Sequence, residues 1–303
     1  MLRRSSGKFF LADISAFFHD PTGSVSYLVA DAPTGKAAII DPVLDYDPSS
    51  GRITASFADQ LIASVSQRQL TVEWILETHV HADHLSAAQY LKAQLGGKIC
   101  IGEHVRQVQA HWAKIFNIEN EFDGESKHFD GLFKDGDLRS IGQLPFEIIH
   151  IPGHTQADIG YLIGDAAFVG DSLFMPDYGT PRTDFPGGSA SALYRSIRRI
   201  LDLPASTRLF CGHDYRTPER AYNAWESTVA QQRLSNIHIH DGIDEAAFVA
   251  MREARDARLS LPNLIFPALQ VNIRAGRLPP PEKSGAIFFK IPIDRSGVGG
   301  SIG

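Results

Sequence analysis

The stretch Thr78-His79-Val80-His81-Ala82-Asp83-His84 places three imidazoles and one carboxylate within six residues, directly after the apolar, β-branched run 72–76. Imidazole nitrogens and carboxylate oxygens are the donors that divalent metal ions take in proteins. His79 and His81 are two positions apart, so an extended backbone would point both side chains to one side. Asp83 and His84 follow where the chain is expected to turn into a helix over 85–95. The stretch therefore predicts a metal site rather than a solvated loop that happens to be rich in histidine.

Three more polar residues stand at similar places further along the chain. Each follows an apolar, strand-like run and lies at a turn that contains glycine; they are His154, Asp171 and His213. Sites are commonly built from loops that rigid strands hold in place. One histidine after a strand is typical of a structural residue, but three such groups together with the first stretch predict one shared metal centre.

These seven donors match the pattern of the metallo-β-lactamase superfamily, which the chain resembles over most of its length. The resemblance implies the α/β class and a four-layer αββα sandwich, with the site at one edge of its two sheets. It also implies two metal positions that Asp171 can bridge, the first with His79, His81 and His154 and the second with Asp83, His84 and His213.

Composition limits the classes of protein that need to be considered. A hydrophobic content of 43% and a charged content of 21% in 303 residues are ordinary for a globular protein. The net charge of −6 argues against a nucleic-acid partner, because phosphate backbones attract basic surfaces. Two cysteines, Cys100 and Cys211, are too few for a disulfide framework and fit a reducing compartment. With no apolar run long enough to span a membrane, a cytoplasmic protein is expected.

The pattern of strand-like and helical stretches predicts one domain over residues 1–303, with a C-terminal extension from about residue 262 that packs on it. Helices are predicted over 190–203, 218–234 and 244–259. Ser189 and Ser191 are the candidate N-caps for the first helix, and Thr217 followed by Pro218 is the predicted start of the second.

Later segments resemble one branch of the superfamily, the bacterial persulfide dioxygenases. They are residues 177–185 with 193–197, residues 213–215, and residues 261–276. In that branch one iron ion is held by two histidines and one aspartate, which correspond here to His79, His154 and Asp171. Such a triad leaves three adjacent positions open on Fe(II). The resemblance thus implies that these three residues are the catalytic ligands, and that His81, Asp83, His84 and His213 belong to the second site or surround the first.

The same resemblance implies that glutathione persulfide is oxidised with O₂ to sulfite and glutathione, as in sulfide detoxification, and a homodimer is the oligomeric state expected from it. The carboxylates of the glutathione part need cationic or amide partners. The candidates are Arg182, Tyr215 and Asn272, with Arg233 and Arg274 behind them.

Two other functions remain open from the sequence. All second-site donors are present, so a hydrolase of the glyoxalase II or lactonase type with two Zn²⁺ or mixed metals is the first alternative. The second alternative is a non-catalytic protein that binds or senses a glutathione ligand. Secreted β-lactamases are set aside because they commonly carry cysteine where His213 stands.

Overall fold

The computed structural model of the protein describes residues 11–122 and 127–293. Its strands are β1 (Asp13–His19), β2 (Ser24–Asp31), β3 (Lys36–Ile40), β4 (Val43–Asp47), β5 (Arg52–Thr54), β6 (Thr71–Leu76), β7 (Leu85–Ser86), β8 (Lys98–Gly102), β9 (Gly131–Phe133), β10 (Leu138–Ile141), β11 (Leu144–His150), β12 (Ile159–Ile163), β13 (Ala166–Gly170), β14 (Arg208–Cys211) and β15 (Glu226–Thr228). Its α-helices are α1 (Ser56–Gln67), α2 (Ala88–Leu95), α3 (Val105–Phe116), α4 (Ala190–Leu201), α5 (Val229–Ser235), α6 (Glu245–Asp256) and α7 (Ile265–Asn272).

Two six-stranded sheets form the centre of the molecule. The first has the strand order β1-β2-β3-β6-β8-β9 and the second β10-β11-β12-β13-β14-β15, while β5, β4 and β7 form a small third sheet. Apolar side chains of both large sheets, such as Tyr27 and Phe168, meet between them. Helices cover the outer faces, with α1, α2, α3 and α7 on the first sheet and α4 and α6 on the second. This is the predicted α/β class with four layers.

The central strands have continuously apolar sequences, rather than alternating apolar and polar residues, because both of their faces are buried. All eight residues of β2 are buried, since one face meets the second sheet and the other meets the helices. Helix α4 instead carries one apolar stripe that includes Leu193 and Ile197. The Ser189 hydroxyl accepts a hydrogen bond from the backbone N–H of Ala192, so the predicted N-cap is confirmed.

Two predicted helices begin later than expected. The helix predicted from residue 85 begins at Ala88, because β7 first pairs with β4. The helix predicted over 218–234 is wrong for most of its length, and only α5 is helical there. The Arg220 guanidinium reaches back to Asp177 and Asp214, which holds this part of the chain in an irregular loop, and β15 then pairs with β14 before α5 begins.

The C-terminal part packs on the sandwich through α7, whose apolar residues lie against the first sheet and its helices. Beyond α7 the chain runs without helix or strand to residue 293, the last of the described ranges. The Gln270 side chain bonds to the backbone N–H and C=O of Lys290, and the Phe289 ring contacts Tyr46 edge-on at 5.6 Å. No helix within the described residues is both long and apolar enough to cross a lipid bilayer.

Candidate metal centre

The predicted donors lie together at one edge of the two large sheets. His79 follows β6, His154 follows β11, Asp171 follows β13 and His213 follows β14, so that four strands deliver one residue each. Gly170 makes this close approach possible: it has φ +51°, and a Cβ atom there would lie 2.4 Å from the Thr78 hydroxyl oxygen.

His79, His154 and Asp171 form one buried group of possible metal ligands. The Nε2 atoms of His79 and His154 lie 3.9 Å and 3.8 Å from the same Asp171 oxygen, Oδ2. These distances are too long for hydrogen bonds, but they suit donors that share an ion at about 2.0–2.2 Å from each. The His79 Nε2 atom is buried and has no hydrogen-bond partner among the described residues. The group therefore fits a bound metal ion.

The other nitrogen of each of these histidines is held by a hydrogen bond. His154 donates its Nδ1 hydrogen to the Arg182 carbonyl oxygen at 2.8 Å. The Thr78 hydroxyl donates to Asp41 at 2.8 Å and so accepts from His79 Nδ1 at 3.0 Å. Both Nε2 atoms are thereby left with a free lone pair. Burial and the nearby His81 lower the pKa of His79 well below its usual value, so the ring is neutral, as a ligand must be.

His213 lies between two carboxylates rather than facing open space. Its Nδ1 atom is 2.6 Å from Asp171 Oδ1, and its Nε2 atom is 2.5 Å from Asp83 Oδ2. Burial by itself would lower the pKa of His213, but these two carboxylates outweigh it and raise the pKa to about 10. With a proton on each nitrogen, the His213 ring is a cation that offsets the negative charges of Asp171 and Asp83.

His81 is displaced from the position that the family resemblance implies. Its Nε2 atom lies 3.1 Å from Asp41 and 3.5 Å from Glu77, and it is not part of the group around Asp171. Residues 78–79 form a bend and no strand covers 79–81, but the His79 and His81 rings still lie side by side, with their centroids 4.0 Å apart. Asp41 accepts from both the N–H and the hydroxyl of Thr78. Although burial opposes it, the Asp41 and Glu77 carboxylates raise the pKa of His81 well above its usual value.

A second possible group of ligands is formed by His81, Asp83 and His84, next to the first. His84 Nε2 is buried without a hydrogen-bond partner among the described residues. Burial and the neighbouring His81 lower the pKa of His84 to about 4, which keeps its ring neutral. This arrangement is compatible with a second metal ion next to the first.

A cavity of about 870 Å³ opens onto these groups, and Asp83, His84, His154 and Asp171 lie in its wall. Two of the predicted substrate residues also line it, Arg182 and Tyr215. The Arg182 guanidinium binds Asp184 with two bonds of 2.6 Å and lies over the Phe185 ring. Tyr215 stacks on His213 with an interplanar angle of 6°. Although Tyr215 is 46% exposed, its partial burial and the nearby Asp83 and Asp171 raise the pKa of Tyr215 above its usual value, so the phenol can donate a hydrogen bond.

The other three predicted substrate residues do not line this cavity. Asn272 is buried, accepts from the Ser86 backbone N–H, and donates to the carbonyl oxygens of His81 and His84. Arg274 is buried and paired with Glu121, and Arg233 is half-exposed and paired with Asp241.

Several residues of the site are not indicated by the sequence patterns described above. Asp41 and Glu77 hold Thr78 and His81 from strand ends, and a carboxylate just after a buried strand is the pattern that would have found Asp41. Basic residues on other cavity walls were also missed, namely Arg52, Arg252 and Arg255. Only the tertiary structure brings them to the site.

Several known proteins are similar to this chain. The model of the metallo-β-lactamase superfamily matches residues 19–213. A Burkholderia pseudomallei protein named "Probable metallo-hydrolase" is 51% identical, over 93% of this chain and 99% of its own length. "Glyoxylase B2" of Dictyostelium discoideum is 45% identical, over 93% and 97%. β-Lactamase hydrolase-like proteins of Xylella fastidiosa are longer, and the chain spans 64% of their length.

Two further similarities are to proteins that carry the name ETHE1. The bovine "Persulfide dioxygenase ETHE1, mitochondrial" is 29% identical, over 87% of this chain and 89% of its own length. The crystal structure of ETHE1 from Myxococcus xanthus superposes with a TM-score of 0.70 at 28% identity, over 88% of this chain and all of that one.

Proposed function

We propose that this chain, which belongs to the metallo-β-lactamase superfamily, is an iron-dependent dioxygenase that oxidises glutathione persulfide. The observation that carries the proposal is the buried group of His79, His154 and Asp171, two imidazoles and one carboxylate whose possible ligand atoms lie within 4.8 Å of one another. This donor set is the one that non-heme Fe(II) oxygenases use. The similarity to the bovine persulfide dioxygenase supports the same reaction.

The proposed reaction balances without a further redox partner. One persulfide, one O₂ and one water give one glutathione, one sulfite and two protons, and the outer sulfur loses the four electrons that O₂ gains. His79, His154 and Asp171 would hold the Fe(II) ion, which would supply electron transfer between sulfur and oxygen. The remaining tasks fall to the protein, which must bind the persulfide, hold the ligands and accept protons.

The chain's own residues are suited to these tasks. Backbone and hydroxyl acceptors hold the Nδ1 hydrogens of His154 and His79, which fixes the direction of both ligand nitrogens. Asp171 is divided between two roles, since Oδ2 faces the two ligand histidines and Oδ1 binds His213. The Tyr215 phenol lies at the cavity wall beside His213, where it can donate to a sulfur or carbonyl acceptor of the substrate.

Recognition of the glutathione part is proposed at the cavity mouth. Arg182 remains a candidate, although Asp184 and the Ser260 carbonyl already bind it. Arg52 and Arg255 line the same cavity, are exposed, and form no ion pair with another described residue, which leaves their guanidinium groups free for the two carboxylates. Asn272 is better suited to holding the metal loop than to touching substrate.

Oxygen consumption tests the proposal. Anaerobically iron-loaded protein is mixed with glutathione persulfide and O₂, and uptake is followed together with the sulfite formed. Rapid uptake with about one sulfite per O₂ is expected, and it should be lost in His154→Ala. Absence of uptake by fully iron-loaded, folded protein would contradict the proposal.

A second candidate function is a dinuclear hydrolase that cleaves S-acyl glutathione thioesters. The neighbouring group of His81, Asp83 and His84 favours it, as do the names of the relatives that are 45–51% identical. Two metal ions per chain, with thioester hydrolysis and no oxygen uptake, would establish this function instead.

A further inference from the structure

We propose that Ser24 sets the number of metal ions in the centre, because its hydroxyl group engages the donors that a second ion would need. The inference rests on the proposed function only for the identity of the ion held by His79, His154 and Asp171. It concerns the adjacent donor atoms Asp83 Oδ2 and His213 Nε2, with His84 Nδ1 as a third contact of the hydroxyl.

The Ser24 hydroxyl oxygen lies at the point where these three side chains meet. It is 3.2 Å from Asp83 Oδ2, 3.1 Å from His84 Nδ1 and 3.0 Å from His213 Nε2. The oxygen can donate one hydrogen bond, to the carboxylate, and accept from ring N–H groups. The hydroxyl thus competes with a second ion for Asp83 Oδ2 and His213 Nε2, whereas it meets His84 only at Nδ1 and leaves Nε2 of that ring without a partner among the described residues.

The backbone holds Ser24 firmly in this position. The residue is 1% exposed and begins β2. The N–H of Val25 donates to the Gly212 carbonyl at 2.8 Å, and the N–H of Asp214 donates to the Gly23 carbonyl at 2.9 Å. The chain on both sides of Ser24 is therefore tied to the chain on both sides of His213, and the two residues cannot separate without breaking this pairing.

Further hydrogen bonds fix the direction of the hydroxyl. The Thr22 hydroxyl lies 2.7 Å from the Ser24 oxygen and 2.7 Å from His19 Nδ1. His19 in turn approaches Asp45 at 3.4 Å. Rotation of the Ser24 side chain away from the donors would break its bonds to Thr22 and to all three donors at once.

The Asp83 Oδ2 and His213 Nε2 atoms cannot bind the Ser24 hydroxyl and a second metal ion at the same time. Metal bonds to nitrogen and oxygen donors measure about 2.0–2.2 Å, whereas the hydroxyl oxygen lies 3.0–3.2 Å from each donor. The His213 Nε2 atom is shared by Ser24 and Asp83, and its Nδ1 atom binds Asp171. An ion at this place would have to displace the hydroxyl and break the pair between His213 and Asp83.

Ser24 does not bond directly to the first group of ligands and reaches Asp171 only through His213. The Asp171 oxygen that faces His79 and His154 is Oδ2, and no hydrogen bond joins Ser24 to any of these three among the described residues. Removal of the hydroxyl should therefore leave the first ion in place and open only the second position.

Metal counting tests this inference. Wild-type protein and Ser24→Ala are loaded anaerobically with excess Fe(II), and in parallel with Zn(II), desalted, and measured for metal per chain by mass spectrometry. We expect about one ion for the wild type and about two for Ser24→Ala. The matched control is Ser227→Ala, a buried serine that accepts from Gln232, and it should stay at about one. Adding Asp83→Asn to Ser24→Ala should return the count to about one.

Two results would overturn the inference: two ions in the wild type, or one ion in a Ser24→Ala protein with native circular dichroism and melting. Ser24→Gly opens the same space and tests the point again. The outcome is separate from that of the proposed function, since the ion count does not depend on oxygen uptake. A wild type with one ion and no uptake would contradict the dioxygenase alone.

Discussion

His154 donates its Nδ1 hydrogen to the carbonyl oxygen of Arg182, 2.8 Å away. This bond joins a predicted metal ligand to the segment that forms a wall of the cavity. The segment is held from the other side by α6, where the Arg252 guanidinium donates to the Thr180 carbonyl and Asp256 accepts from the Thr183 N–H. The direction of a ligand nitrogen thus depends on a helix that contributes no ligand itself.

Breaking the buried ion pair of α6 is expected to destabilise the protein strongly. Arg252 and Asp256 pair at 2.8 Å with 2% and 4% of their side chains exposed. In Arg252→Met the Asp256 charge stays buried without its partner, which costs about 3–5 kcal/mol. Urea unfolding measures this change. Arg195→Met breaks the exposed pair with Glu245 and should change the stability by less than about 0.5 kcal/mol. Equal losses in both variants would contradict this account of α6.

Loss of the Asn272 amide should loosen the loop that carries the second group of ligands. In Asn272→Leu the Ser86 N–H and the His81 and His84 carbonyls lose their buried partner. Each unsatisfied group costs about 1–3 kcal/mol, so a total loss of roughly 3 kcal/mol is expected by urea unfolding. Hydrogen exchange at Ser86 should become faster. Asn263→Ala, at an exposed position, is the control, and unchanged exchange in Asn272→Leu would refute the role.

Substrate binding should depend on the free cations at the cavity. Arg255→Ala is expected to raise the KM for glutathione persulfide about tenfold, equivalent to about 1.4 kcal/mol, with little change in kcat. The same result is expected for Arg52→Ala. Arg233→Ala lies outside the cavity in a pair with Asp241 and should leave both constants unchanged. A fall in kcat at constant KM for Arg255→Ala would assign this residue another role.

Stability should fall as the pH is lowered from 6.5 towards 4, in part through His238. Burial, together with nearby Arg252 and Arg255, lowers the pKa of His238 from 6.5 to about 4. Its Nδ1 accepts from the Thr180 N–H, which requires a lone pair. Because the unfolded chain binds this proton first, the stabilisation is complete above 6.5 and is lost through that range, by roughly 1–3 kcal/mol.

Urea unfolding at several pH values checks this prediction. His238→Gln should flatten the slope between pH 6.5 and 4, whereas His240→Gln, whose ring bonds only to the Asp241 carbonyl, should retain it. An unchanged slope in His238→Gln would show that other groups account for the acid dependence.

The sequence determined the ligand types and the strands that present them. Dense donors at 79–84, and single donors after apolar runs at His154, Asp171 and His213, predicted a shared site because buried strands end at a common edge. The cap at Ser189 was equally local, since it depends on residues within one turn. These features follow from short-range backbone geometry and burial, which a linear pattern carries.

Tertiary structure alone decided how those donors are used. His81 contacts the carboxylates of Asp41 and Glu77. Ser24 contacts Asp83 and His213, which are 59 and 189 positions away in the sequence. The Arg220 guanidinium likewise donates to Asp177, 43 positions away, in a loop where a helix was predicted. Except for the pair of Glu77 and His81, these polar contacts join residues far apart in sequence, and only the packed sheets bring such groups within reach.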